Sequence, residues 1–156
     1  MPSTENHLSL AAHNIDVLIH LGSKSDFCDW MTITAFYSAI HLIEAMLCVE
    51  NGAKCRTMHS HGHGLREQVL LEAYPAIYKK YRVLCSAAHV ARYITKEGSD
   101  DQPFMCHYCF SVVREKLIKG RFAGVINTVK TVIAGRANLD SIEAKFTQLL
   151  KVLDKV

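Results

Sequence analysis

The sequence predicts an all-α fold, an antiparallel four-helix-bundle core with additional C-terminal helices. Three observations carry this. Apolar residues recur at spacings of three and four through most of the chain. Only three prolines and eight glycines interrupt it, leaving long stretches free to coil. No segment alternates apolar and polar residues between hairpin turns, which argues against strands. A length of 156 residues suits one domain, with 49% apolar and 21% charged residues, a globular balance. The bundle core is expected over about residues 5–95 and the C-terminal helices over about 104–155.

Ser3 or Thr4 caps a first helix whose inward positions are Leu8, Ala11, Ala12, Ile15, Leu18 and Leu21, and Gly22 stops it. A second helix follows from about Phe27 to Glu50, stopped by Asn51-Gly52. A loop over Ala53–Gly64 leads to a short third helix, Leu65 to about Ala73, broken before Pro75. The fourth helix runs from about Ala76 to Thr95, with Ile77, Tyr81, Leu84, Ala88 and Val90 or Ala91 inward. Pro103 suits the first turn of a fifth helix, about Phe104 to Lys119. Gly120 ends or kinks it, Arg121–Ala134 continues in helical register, and Gly135 closes that run. A last helix from Leu139 to about Lys155 is capped by Asn138 or Asp140, with Leu139, Ile142, Phe146, Leu149 and Leu153 on one stripe.

Phe27–Val49 is apolar enough to ask whether it spans a membrane. Asp29, Ser38, His41 and Glu44 within it would be costly in lipid, so a buried bundle helix is expected. Met1–Asn6 is polar and no cleavage site follows, so no signal peptide is expected. The six cysteines show no secreted framework, which points to free thiols and a cytoplasmic location. A net charge of +3 permits a nucleic-acid partner without demanding one.

Trp30, Thr34, Tyr37, His41, Glu44 and Cys48 recur at helical spacing and form one partly polar ridge on the second helix. A buried imidazole or carboxylate needs a partner, so the ridge faces either neighbouring helices or a shared polar site. After it, Arg56-Thr57-Met58-His59-Ser60-His61-Gly62-His63-Gly64-Leu65-Arg66 concentrates histidines and arginines ahead of a helix start. Arginine clamps phosphate and histidine exchanges protons near neutral pH, so the pieces of phosphodiester chemistry are present. The bland alternative is a solvated loop. Cys106 and Cys109 have the spacing of half a zinc site. Without a second pair they are more simply small residues on the packed face of a helix.

Asp29-Trp30, Ala35 through Ala45, His63-Gly64-Leu65-Arg66, Tyr81-Arg82-Val83-Leu84 and Ala91-Arg92-Tyr93 occur in an order and spacing that resembles the HEPN family. The likeness covers about residues 27–94. It implies a helical bundle that dimerises and binds nucleotide or RNA without a cofactor, alone or with a partner protein of a toxin–antitoxin or defence system. His41, His63, Arg66 and Arg92 match the family's polar positions, and Tyr37, Arg56 and His61 stand beside them as ligand-binding candidates. Catalytic members are metal-independent endoribonucleases in which an arginine precedes a histidine by four to six intervening residues. Arg56 with His61, Arg56 with His63, and Arg82 with His89 fit that spacing, hardly more often than chance would supply. His63, Arg82 and His89 are the catalytic candidates on this alternative. Their placement before the third helix and within the fourth departs from the family pattern. A metal-binding or purely structural interaction bundle is the remaining alternative. Val125, Val129, Val132 and Ile133, with the last helix, are expected to offer apolar surface to a second copy.

Overall fold

The computed structural model describes residues 2–51, 62–93 and 108–156, with residues 51 and 62–65 described by their backbone. Every regular element among them is helical: α1 (Thr4–Gly22), α2 (Cys28–Asn51), α3 (Gly62–Ala73), α4 (Pro75–Tyr93), α5 (residues 110–132) and α6 (Asp140–Leu153). A 3₁₀ turn, Ser25–Phe27, leads into α2.

The starts and stops follow local chemistry. The Ser3 hydroxyl accepts a hydrogen bond from the Asn6 backbone N–H, and the Asn6 side chain accepts one from the Ser3 N–H, forming a reciprocal cap. At α6 the N-cap is Leu139 rather than Asn138 or Asp140, and the Asn138 side chain just ahead of it accepts from the Asp140 N–H at 2.7 Å. Gly135 follows α5 with φ of 73°, a left-handed conformation that glycine adopts at low cost.

α2 is the central element, contacting α1, α4 and α5, which explains why it is apolar almost all round. Its length and mean hydropathy of 1.5 would suit a membrane span, but 67% of that window is buried inside the protein. Met31, Phe36, Leu42, Ile43, Met46 and Leu47 are fully buried on it, each worth about 1.5–3 kcal/mol. Its buried hydroxyls are satisfied: Thr32 donates to the Cys28 carbonyl and Ser38 to the Ala11 carbonyl on α1. α1 and α2 run in opposite directions, since His7 lies beside His41 and Ala11 beside Ser38.

The fifth helix differs from expectation. It starts at Phe110, and Cys109 is its exposed N-cap residue rather than part of a packed face. Rather than ending at Gly120, the chain runs through a π-helix, Val113–Phe122, into the α-helical Ala123–Val132. The expected self-association surface is also used within the protomer. Val125, Val129 and Ile133 are fully buried, as are Leu149 and Leu153. α6 lies so close to α1 that a Cβ on Gly22 would sit 2.9 Å from Leu153.

Candidate functional site

The polar ridge of α2 changes character along its length. Toward the α2 C-terminus, Glu44 is buried and forms an ion pair with Arg66 of α3. The buried Tyr81 of α4 accepts a hydrogen bond from the same guanidinium. Burial alone would lower the Arg66 pKa, but Glu44 and Tyr81 outweigh it and the net shift is upward. Burial pushes the Tyr81 phenol up to about 12 despite the opposing arginine. These groups tie three helices together.

One turn back, His41 is half-buried and its Nδ1 lies 3.2 Å from Nδ1 of His7 on α1. Burial lowers the His41 pKa; the Arg66 charge lowers it further, and Glu44 opposes both. His41 is accordingly a neutral hydrogen-bonding group at pH 7 rather than a cation.

A further turn back the ridge reaches the surface. Arg92 of α4 donates to the Tyr37 hydroxyl at 2.9 Å, and its guanidinium carbon lies 5.6 Å from the Tyr37 ring centre and 5.4 Å from that of Tyr93. Both distances are those of cation–π contacts. The His89 ring lies 4.9 Å from that of Tyr93, tilted by 54°. Two turns before Tyr37 on the same face of α2 stands Trp30, 62% exposed. Tyr37 and Tyr93 are also exposed.

The candidates named from sequence thus divide. Tyr37, His41, Arg66 and Arg92 lie along one ridge, Arg66 at its buried end and Arg92 at its open end. His63 is in the first turn of α3, its side chain outside the described residues; Arg56, His61 and Cys106 lie outside them altogether. Arg82 pairs with Glu67 at 3.0 Å, whereas His89 lies against the Tyr93 ring. Cys109 has its sulfur 3.2 Å from the Ser111 hydroxyl, which lowers its thiol pKa. No cluster of three metal-ligating side chains occurs among the described residues. Sequence inspection missed His7, because a single histidine beside Leu8 at the start of an apolar stripe gives no sign of facing inward. The exposed Tyr93 was visible only as part of a family pattern.

Comparisons with protein-family models, with curated proteins and with solved structures return no match to this chain.

Proposed function

We propose that this chain is an HEPN-type domain, with α1–α4 as its antiparallel four-helix core, that binds single-stranded RNA or nucleotides. The ligand surface is the open end of the α2 ridge: Trp30, Tyr37, Arg92 and Tyr93. The observation that carries this proposal is the Arg92 guanidinium held between two exposed tyrosine rings, with an exposed tryptophan on the same helix face. Every base has a π-face, so exposed aromatic rings beside a cation bind single strands with little sequence preference. Arg92 supplies a charge for the phosphate backbone, while His41, neutral, supplies hydrogen bonding. The family likeness adds a homodimer, or a partner protein from a toxin–antitoxin or defence system.

Trp30 is the single tryptophan of the chain, so the site carries its own fluorophore. Titration with a single-stranded oligoribonucleotide is expected to quench its emission saturably. Replacing Tyr37 or Arg92 by Ala is expected to weaken binding roughly 5- to 150-fold, the worth of one stacked base. Unquenched emission at tens of micromolar RNA would overturn the proposal. Light scattering tests the dimer separately, and a monomer alone at tens of micromolar removes that part.

A further inference from the structure

A second site opens where α4 meets α5. Between α4 and the π-helical stretch of α5 lies a cavity of about 430 Å³, a size ordinary for small-molecule pockets. Its cations are Arg82 from α4 and Lys116 and Arg121 from α5. Arg82 is held by Glu67, whereas Lys116 and Arg121 have no carboxylate partner among the described residues. Val83, Val112 and Leu117 supply apolar wall, and the Tyr108 ring stands at one side.

The π-helix creates this arrangement. In an α-helix, residues five apart diverge by about 140° around the axis, which would turn Arg121 away from Lys116. In a π-helix the backbone bonds five residues apart, so Lys116 and Arg121 come onto one face, toward the cavity. Gly120 lies inside this stretch, where a Cβ would be 3.3 Å from the Glu115 carbonyl oxygen.

We propose that this cavity binds an organic phosphate: the phosphate between Arg82, Lys116 and Arg121, and an apolar or aromatic body against Val83, Leu117 and Tyr108. Charge alone would serve for inorganic phosphate, and apolar wall alone for a neutral hydrocarbon. Their combination selects a molecule carrying both. This inference does not rest on the RNA-binding surface, which uses none of these residues.

Calorimetric titration of the full chain with phenyl phosphate, inorganic phosphate and phenol tests it. Phenyl phosphate is expected to bind at least tenfold more tightly than either of the others. The Lys116→Gln/Arg121→Gln variant is expected to lose at least tenfold, and each single variant part of that; glutamine keeps helix propensity. Arg92→Ala should leave this binding unchanged while weakening RNA binding, so the two proposals fail independently. Equal affinity for phenyl phosphate and either fragment, no binding at millimolar concentration, or wild-type affinity in the single and double variants would overturn it.

Discussion

His7 and His41 meet Nδ1 to Nδ1 at 3.2 Å, their rings tilted by 34°. One nitrogen must donate and the other accept, so both cannot carry a proton at once. The pair therefore holds at most one positive charge while it stays intact. With the His41 pKa lowered mainly by burial, the pair links α1 to α2 through a neutral His41 ring.

The pH dependence follows from this shift. An unfolded histidine takes up its proton near pH 6.5, while folded His41 does so at lower pH. Between those two values the unfolded chain binds more protons, so stability falls as pH drops below about 6.5 and levels off beneath the folded pKa. Urea unfolding of wild type and of His41→Gln, at a series of pH values from 7.5 to 5, measures it. The variant should show a shallower loss of stability on acidification; identical slopes would show that other groups set it.

The Arg66–Glu44 pair is expected to behave as structure rather than as ligand machinery. Arg66→Ala removes the guanidinium paired with the buried Glu44 and should cost about 3–5 kcal/mol. Replacing both partners, as Glu44→Leu with Arg66→Met, should recover most of that loss, because the two charges no longer have to be desolvated. Trp30 quenching by RNA should survive in the double variant. Its disappearance from a folded double variant would move the buried end of the ridge into the ligand site.

Much of this was legible in the sequence because the relevant forces are local. Ser3, Asn138 and Gly135 announce helix ends through their own side chains or lack of one. The α2 ridge was visible because Trp30, Tyr37, His41 and Glu44 repeat at helical spacing. What periodicity could not supply was depth. The same ridge is exposed at Trp30 and closed at Glu44, where Arg66 of α3 and Tyr81 of α4 cover it, and that is a matter of tertiary packing. The cavity beside α5 was invisible for another reason: assuming an α-helical period sends Arg121 to the wrong face.

Gly135→Ala should cost about 1 kcal/mol, since a Cβ disfavours the left-handed conformation. Nothing lies within 4 Å of that position to clash, so the cost is one of backbone conformation alone. Gly135→Asn should cost less, because asparagine tolerates this region better. Chemical denaturation of the two variants tests the order, and equal costs would contradict it.

The π-helix behaves as one residue too many in an otherwise regular α-helix. Its buried positions run Val113, Leu117, Ile118, then Phe122, Val125, Ile126 and Val129, and at an α-helical 100° per residue Phe122 would lie about 180° around from Val113, a gap that one α-helical stripe does not span. Deleting Gly120 would close that gap and leave every later buried residue on the face it already occupies. The deletion variant is therefore expected to fold, with a melting temperature within about 8 °C of wild type, the shift about 2 kcal/mol gives in a domain of this size. Its fifth helix would be α-helical throughout, with Arg121 now four residues after Lys116 and still on the same face, so phenyl phosphate binding is expected to persist. An unfolded deletion variant would show that the wide turn is required for packing the helix.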